Sequence, residues 1–210
     1  MALGPTIRKL FGRYERQISE QYRSIYVDVD AFVATVQSWA ASPKRILEVG
    51  CGEGAVTERL AAAYPDAKIT AIDITPRVGR LYAGPRDKVT FLQSPVQEIA
   101  ASEPHQFDLV VLSDVMHHVP DVLRQDILNA IKDALAPGGV FVFKDWERNG
   151  TLIHWMCVAS DRFLTGDRVA YMTRKEARAM LGSAFGTGCI TAEGWVRPWR
   201  ANYAMRVIPR

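Results

Sequence analysis

The chain has little cysteine, and its cysteines do not suggest a disulfide framework. Cys51, Cys157 and Cys189 are widely spaced and odd in number, whereas small disulfide-stapled proteins carry an even set at short spacings. The stretch over residues 1–9 lacks the apolar core of a secretory signal. These absences favour a reducing compartment, and we expect the cytoplasm.

The sequence also lacks any run of about 18 apolar residues, the length at which a helix begins to span a bilayer, and it has no internal repeat. Its hydrophobic fraction of 48% and charged fraction of 23% are those of an ordinary globular protein. A length of 210 residues is most simply one domain. We therefore expect a single domain over 1–210, a monomer or a homodimer, with no membrane partner.

The net charge of +3 is small, but it is unevenly distributed. Residues 46–143 hold 8 basic and 13 acidic residues, whereas 1–45 hold 7 and 4, and 144–210 hold 11 and 6. Solvated arginine-rich surfaces explain such flanks, and so does a binding site for an anionic substrate. The sequence alone leaves both interpretations open.

The most informative pattern is a glycine-rich turn between an apolar run and a helical pattern. Residues 46–49 predict a strand, and the glycines at 50, 52 and 54 predict a tight turn. The helix that follows points free N–H groups at whatever lies against the turn. The spacing differs from the dinucleotide fingerprint Gly-x-Gly-x-x-Gly, because residue 55 is Ala. Glu48, at the strand end, would repel a pyrophosphate but would suit an ammonium or sulfonium group.

The segment Glu48-Val-Gly-Cys-Gly-Glu-Gly54 resembles motif I, Glu/Asp-x-Gly-x-Gly-x-Gly, of the class I, Rossmann-like methyltransferases of small-molecule type that use S-adenosylmethionine. The resemblance is specific over about 44–145. It implies an α/β fold with a doubly wound, seven-stranded, mostly parallel sheet, helices on both faces and an N-terminal helical lid. It also implies S-adenosylmethionine as the methyl donor and S-adenosylhomocysteine as the product.

Under this resemblance, residues 1–43 form the lid, 44–145 the cofactor-binding core, and 146–210 the acceptor-pocket segment with a C-terminal antiparallel strand pair. The patterns predict helices over 6–21, 27–40, 55–64, 120–136, 152–163 and 173–181. They predict strands over 46–49, 68–73, 88–92, 107–112, 140–143, 190–195 and 202–208. Thr151 is predicted to cap one helix, and Thr173 with Glu176 to form a capping box on another.

The expected cofactor site combines the glycine turn with an acid on the second strand. Asp73 ends that strand, where a carboxylate can accept hydrogen bonds from both hydroxyls of a ribose. Most relatives have an Asp where Ser94 stands, so the resemblance implies weaker adenine recognition by Ser94 or by the backbone. The expected contacts are Glu48, Gly50, Cys51, Gly52, Gly54, Asp73, Ile74, Ser94, Val96 and Ser113.

The fourth strand is followed by Ser113-Asp114-Val-Met-His117-His118, which resembles the Leu-His-His segment of small-molecule methyltransferases. Methyl transfer is an in-line displacement that mainly needs alignment and exclusion of water, and a base is needed only if the acceptor is protonated. The candidates for that base are His117, Asp114, Asp145 and His154. Local packing is the alternative role for the histidines. Two adjacent histidines without further ligands predict no metal site.

The segment after the fifth strand is expected to bind the acceptor, a small anionic or aromatic metabolite. Guanidinium groups bind carboxylate or phosphate in a bidentate way, which favours arginines for an anion. The candidates are Arg148, Trp155, Arg162, Arg168, Arg197 and Arg200, with Tyr22 from the leading helices, where Tyr14 and Tyr26 also lie. His154 and Asp161 fall on one face of the helix predicted at 152–163, and a surface salt link is the simpler explanation for them.

Three other functions stay open. A nicotinamide-dependent oxidoreductase would use the glycine turn and Asp73, but it leaves Glu48 unexplained and lacks a Tyr-x-x-x-Lys set. A nucleic-acid methyltransferase would use the C-terminal arginines and tryptophans, but the chain has no Asn/Asp-Pro-Pro-Tyr-type motif. A non-catalytic ligand-binding protein would have the same fold. We expect a methyltransferase (EC 2.1.1.-) of biosynthetic or secondary metabolism, with a small-molecule acceptor rather than nucleic acid as its partner.

Overall fold

The computed structural model describes residues 14–162 and 169–210. Two helices, α1 (Glu15–Tyr26) and α2 (Val29–Trp39), precede the first strand. The elements that follow are β1 (Arg45–Val49), α3 (Ala55–Ala63), β2 (Lys68–Asp73), β3 (Val89–Gln93), α4 (Val96–Ser102), β4 (Phe107–Ser113), a short 3₁₀ helix (Met116–His118), α5 (Asp121–Ala134), β5 (Leu135–Trp146), α6 (Leu152–Ser160), α7 (Arg174–Phe185), β6 (Ile190–Trp195) and β7 (Asn202–Val207). The start of the helix predicted at 6–21, and Arg168 among the acceptor candidates, lie outside the described residues.

The strands form one seven-stranded sheet in the order β3-β2-β1-β4-β5-β7-β6. β1 pairs in parallel with β2 and β4, β2 with β3, and β4 with β5. β7 runs antiparallel to both β5 and β6. The expected mostly parallel sheet and its C-terminal antiparallel pair are confirmed. The carboxyl ends of β1 and β4 are neighbours, and in open α/β sheets this edge is where ligands bind.

Helices cover both faces of the sheet, because successive residues of each strand point to opposite sides. Ile46 packs in a core with α2 and α3, whereas its neighbour Leu47 packs in a second core with α4, α5 and α7. The central strand β4 is buried on both sides, which explains its continuous apolar run over 107–112. The doubly wound arrangement is therefore confirmed.

The prediction was wrong about the extent of the fifth strand. The helix before it ends at Ala134 rather than near 136, and the strand runs from Leu135 to Trp146 rather than over 140–143. At its start, an irregular stretch containing Pro137 separates the pairing of Leu135 from that of Val140. At its end, antiparallel pairing with β7 continues through Trp146. Lys144 and Asp145 are consequently buried strand residues, not loop residues.

Two helix predictions also need correction. The α-helical part of α6 covers Leu152–Ser160 and residues 161–162 continue as π-helix, while the predicted end at 163 lies outside the described residues. Thr151 at its N-cap forms no side-chain capping bond, because its hydroxyl donates to Asn149 Oδ1 at 2.7 Å instead. The capping box of Thr173 and Glu176 is confirmed, although α7 continues beyond 181 to Phe185. None of the helices within the described ranges is long and apolar enough to cross a membrane.

Candidate active site

A cavity of about 570 Å³ opens where β1, β4 and β5 end, beneath helix α1. Its wall combines residues from the glycine turn, the β4 turn, β5, α1 and α6. They include Glu48, Gly50, Cys51, Gly52, Ser113, Asp114, His117, His118, Lys144, Trp146, Tyr22, Arg23, Tyr26, Cys157, Ser160, Asp161 and Tyr171. Of the expected cofactor residues, Glu48, Gly50, Cys51, Gly52 and Ser113 therefore lie at this cavity, as does Tyr22 among the acceptor candidates.

The glycine turn needs glycine at position 50 for packing and leaves open space at position 52. Gly50 has a φ of +76°, and a Cβ atom there would lie 2.1 Å from Val115 Cγ2. Gly52 has a φ of +52°, yet a Cβ atom there would have no neighbour within 4 Å. Packing against Val115 thus requires glycine at position 50, whereas Gly52 borders the space available to a ligand.

Glu48 is a buried carboxylate at the cavity wall. Its Oε2 atom has no hydrogen-bond partner among the described residues. Burial, together with the negative charge of Asp73, raises the pKa of Glu48 to about 7. An unpartnered buried carboxylate is costly unless a ligand supplies a donor or a positive charge. This fits the amino-acid ammonium group of S-adenosylmethionine.

Asp73 supports the glycine turn, a role that the sequence did not suggest. Its Oδ2 atom accepts a hydrogen bond from Gly52 N at 2.7 Å, and its Oδ1 atom accepts one from Thr75 N at 2.9 Å. Each carboxylate oxygen retains a lone pair, so binding to a ribose stays a prediction. Asp73 and Gly54 are not part of the cavity wall itself.

The expected adenine contacts lie beyond the cavity, at the ends of β2 and β3. Ile74 is 75% exposed, which is unusual for an isoleucine beside a binding site and leaves an apolar surface for a ring to cover. Ser94 donates its hydroxyl to Glu98 Oε2 at 2.8 Å, and Val96 is buried in the core. A buried Val96 offers a ligand no side-chain surface, so only its backbone remains available.

His117 forms a buried pair with Asp145. Its Nδ1 atom lies 2.5 Å from Asp145 Oδ1, which also accepts a bond from Trp146 N at 2.8 Å. Because a carboxylate only accepts, Nδ1 carries the proton and Nε2 is left as the basic nitrogen of the neutral ring. Burial alone would lower the pKa of His117, but Asp145, Asp114 and Asp161 together outweigh it and raise the pKa above the ordinary value.

Asp114 faces Lys144 across the ends of β4 and β5. Asp114 has a left-handed backbone with a φ of +58°, and its carboxylate forms an ion pair with the Lys144 ammonium. Lys144 has no solvent-exposed surface, and its Nζ lies 5.9 Å from the Trp146 ring centroid. Asp114 is thus a partner of a buried lysine, which counts against it as the base.

The imidazole of His117 has aromatic and acidic neighbours. Tyr171 stacks on it at 4.6 Å and donates its hydroxyl to Asp161, whose Oδ2 atom lies 3.9 Å from His117 Nε2. His117 and His118 each offer a ring nitrogen and Asp161 offers a carboxylate oxygen, and these three atoms lie within 4.8 Å of one another. This spacing is compatible with a metal ion. The expectation that no third ligand surrounds the two histidines is therefore wrong, because the fold brings Asp161 to them.

His154 is not at the cavity wall, although it was a candidate base. It is buried, and its ring packs edge-on against Tyr171 at 5.3 Å. Burial, followed by the charge of Arg148, lowers the pKa of His154. Since the ring is buried and Asp161 pairs elsewhere, the surface salt link between the two is not formed.

The described arginines that were expected to bind an anionic acceptor do not line the cavity. Arg148 forms an ion pair with Glu176 at 2.8 Å, and Arg197 forms one with Asp28 at 3.1 Å. Arg162, Arg200 and Trp155 are exposed, and none of these five residues belongs to the cavity wall. Arg148 and Arg197 therefore lie on the surface in ion pairs, which agrees with the interpretation of the basic flanks as solvated arginine-rich surfaces.

Several residues of the cavity were not found by sequence reasoning, among them Arg23, Lys144 and Tyr171. The Arg23 guanidinium forms no hydrogen bond or ion pair with the described residues, and burial lowers the pKa of its side chain. Lys144 could have been suspected from its place next to Asp145. No local sequence pattern distinguishes Arg23 or Tyr171 from the other residues of their segments.

Known proteins match both the sequence and the fold. The methyltransferase-domain family profile matches residues 47–141. The ubiquinone biosynthesis O-methyltransferase of Bordetella pertussis (strain Tohama I) is 35% identical over 112 residues, which are 51% of this chain and 45% of that protein. The chain thus spans about half the length of the curated relatives it matches.

Solved structures extend the likeness across the chain. The 1,6-didemethyltoxoflavin-N1-methyltransferase of Burkholderia thailandensis, solved with its acceptor and S-adenosylhomocysteine, superposes with a TM-score of 0.66 at 18% identity, over 96% of this chain and 86% of that one. The pyocyanin biosynthetic protein PhzM superposes with a TM-score of 0.71 at 14% identity, over 99% and 62%. Residues 47–141 thus match the methyltransferase-domain family, and the chain has the class I, Rossmann-like fold of these solved structures.

Proposed function

We propose that the protein transfers a methyl group from S-adenosylmethionine to a hydroxyl group of an aromatic small molecule. The observation that carries the proposal is the presence, in one cavity, of a buried Glu48 carboxylate with an unpartnered Oε2 atom and a histidine–carboxylate pair at His117 and Asp145. The first suits a cationic cofactor and the second suits an acceptor that must lose a proton. The O-methyltransferase relative supports oxygen as the methylated atom.

Groups around the glycine turn would hold the cofactor. Glu48 would bind its ammonium group, Asp73 its ribose hydroxyls, and the free guanidinium of Arg23 its carboxylate. The backbone at Gly52 would lie against it, where the structure leaves space. When bound, S-adenosylmethionine supplies an electrophilic methyl group on a positively charged sulfur.

The acceptor half of the cavity would hold a planar ring. Tyr22 and Tyr26 from α1 and Trp146 from β5 line it, and the Tyr26 ring lies edge-on to Trp146 with centroids 6.3 Å apart. Aromatic walls bind aromatic ligands by stacking and exclude water from the reaction. Because these aromatic rings line the cavity, whereas Arg148 and Arg197 pair with acids outside it, we propose an aromatic acceptor.

His117 would act as the base. The acceptor hydroxyl would donate its proton to Nε2, and its oxygen would keep the electron pair that forms the new bond to the methyl carbon. The bond from that carbon to sulfur would break with its electron pair left on the sulfur, so that S-adenosylhomocysteine would leave. Asp145 holds the Nδ1 proton and stabilises the imidazolium that results. General-base assistance of this kind contributes about 10²–10⁴-fold in rate.

The test uses the purified protein with S-adenosylmethionine and a panel of phenols, matched to anilines with the same ring substituents, and follows S-adenosylhomocysteine and methylated product by mass spectrometry. We expect O-methylated products from phenols. We also expect His117→Asn to lower kcat by at least about a hundredfold without weakening S-adenosylhomocysteine binding. Turnover of anilines alone would overturn oxygen as the methylated atom, and failure to bind S-adenosylhomocysteine would overturn the function.

A nucleic-acid substrate has less support. Besides Arg148 and Arg197, Arg174 pairs with Glu147 at 2.9 Å and Arg178 with Glu193 at 2.6 Å. Arginines engaged by carboxylates are poorly placed to neutralise phosphates. The same product assay with single-stranded RNA as acceptor tests this alternative.

A further inference from the structure

The short segment around Tyr171 is fixed to the turn that carries His117. Ala170 N donates a hydrogen bond to His117 O at 2.8 Å. The buried guanidinium of Arg124 bridges the same two segments, donating to Val119 O at 3.0 Å and to Ala170 O at 2.7 Å. On the other side, Arg148 N donates to Met172 O at 2.9 Å. The backbone of Tyr171 is therefore held from both the β4 turn and the end of β5.

The Tyr171 side chain is also constrained, because its ring contacts two histidine rings and its hydroxyl bonds to Asp161. Its ring lies nearly parallel to the His117 ring, with an interplanar angle of 14° and a centroid distance of 4.6 Å. His154 packs edge-on against it at 5.3 Å. Its hydroxyl donates to Asp161, which lines the cavity beside His117 Nε2. Only 6% of Tyr171 is exposed, so these contacts are shielded from water.

This arrangement supplies a constraint that the bond to Asp145 alone does not. A single hydrogen bond at Nδ1 fixes the position of one ring atom, but the imidazole can still tilt about that atom. A parallel ring in van der Waals contact fixes the plane, and with it the direction of the Nε2 lone pair. General-base catalysis depends on that direction, and a displacement of about 1 Å costs about a hundredfold in rate.

We propose that Tyr171 is a positioning residue for His117. Its ring sets the plane of the imidazole, and its hydroxyl holds Asp161 at the edge of the cavity, so that Nε2 faces the acceptor. What Nε2 does there rests on the proposed function, whereas the positioning of the ring does not.

The first test observes the His117 ring directly in the intact protein. The Nδ1 proton, held in a short bond to Asp145, should give a downfield proton resonance that exchanges slowly with water and is absent from His117→Asn. We expect the resonance to persist in Tyr171→Phe, which keeps the ring, and to broaden or vanish in Tyr171→Leu and Tyr171→Met, which remove it. Tyr64→Leu is the matched control, because Tyr64 is also 6% exposed and donates its hydroxyl to Ala40 O, away from the cavity.

The outcomes of this measurement are decisive. If the wild-type protein lacks the resonance, or if Tyr171→Leu and Tyr171→Met keep it unchanged, the proposal is wrong. Loss of the resonance in Tyr64→Leu as well would show a general loss of packing and would also count against it. Thermal unfolding of each variant confirms that a folded protein is being compared.

The second test separates positioning from mere stability by kinetics, with a phenol that the enzyme methylates. We expect Tyr171→Leu to lower kcat by about tenfold to a hundredfold, to leave the Kd of S-adenosylhomocysteine within about threefold, and to have no further effect when added to His117→Asn. An equal loss in both backgrounds would overturn action through His117. Failure of every acceptor would instead concern the proposed function, while the resonance still tests the positioning.

Discussion

At the scale of single residues, burial has opposite consequences for Glu48 in the free protein and in a complex. Without a partner, the desolvated carboxylate holds its proton more tightly when folded, with a pKa of about 7 against 4.5 for an ordinary glutamate. With a cationic ligand beside it, the ionised form becomes favourable. The residue therefore destabilises the free fold at alkaline pH and favours binding of the cofactor.

Glu48→Gln should separate the two effects. Because the folded pKa is raised, the proton contributes stability that is fully present below about pH 4.5 and is lost as the pH rises through about 7. We expect the variant to gain roughly 1–3 kcal/mol in free energy of unfolding at about pH 8.5, with little change at about pH 5, as measured by urea unfolding without ligand. Calorimetry should show at least about tenfold weaker binding of S-adenosylhomocysteine. The same stability change at both pH values would contradict the assignment.

The two glycines of the turn should respond differently to the same small side chain. Alanine at either position costs about 1–2 kcal/mol through the left-handed backbone. At position 50 it also meets Val115, whereas at position 52 it enters open space. We expect Gly50→Ala to lower the melting temperature much more than Gly52→Ala does, while Gly52→Ala folds and loses affinity for S-adenosylhomocysteine. If Gly52→Ala binds as well as the wild type, the cofactor does not lie there.

At the scale of elements, the sequence predicted the parts of the site that depend on local signals. The glycine turn, the apolar run of β4 and the acid at the end of β2 are each readable within a few residues. The acceptor side is not, because it depends on contacts between distant segments. Tyr22 of α1 bonds to Ser160 of α6, 138 positions away, and β7 extends β5 far enough to bury Asp145. Pairing of this kind leaves no periodic trace in either segment.

Helix caps illustrate the same limit, because two threonines with similar sequence signals behave differently. Thr173 Oγ1 accepts a hydrogen bond from the backbone N–H of Glu176 at 3.3 Å, whereas the side chain of Thr151 forms no capping bond. We expect Thr173→Ala to reduce the free energy of unfolding by roughly 1 kcal/mol, and Thr151→Ala to reduce it by clearly less. Urea unfolding measures both. Equal losses would mean that the cap geometry at Thr173 contributes nothing specific.

At the scale of the whole molecule, the structure shows what some of the arginines in the basic flanks contact. Several arginines of the described flanks pair with acids, within the C-terminal segment through Arg148 and Arg174, and between the two flanks through Arg197 and Asp28. Exposed pairs of this kind stabilise a protein little. Arg23 differs from them, because it lines the cavity without an acidic partner among the described residues.

Arg23→Gln should therefore weaken cofactor binding, whereas Arg148→Gln and Arg197→Gln should not. A guanidinium that loses its water on folding and gains no partner is unfavourable in the free protein, and a ligand carboxylate would restore the missing hydrogen bonds. We expect S-adenosylhomocysteine to bind at least about tenfold more weakly to Arg23→Gln, which corresponds to about 1.4 kcal/mol of binding free energy. In the two control variants we expect the Kd to change by less than about threefold. Repeating the titration with 5′-methylthioadenosine, which lacks the amino-acid carboxylate, identifies the group that Arg23 holds. If Arg23→Gln weakens both ligands equally, Arg23 supports helix α1 over the cavity and does not bind the carboxylate.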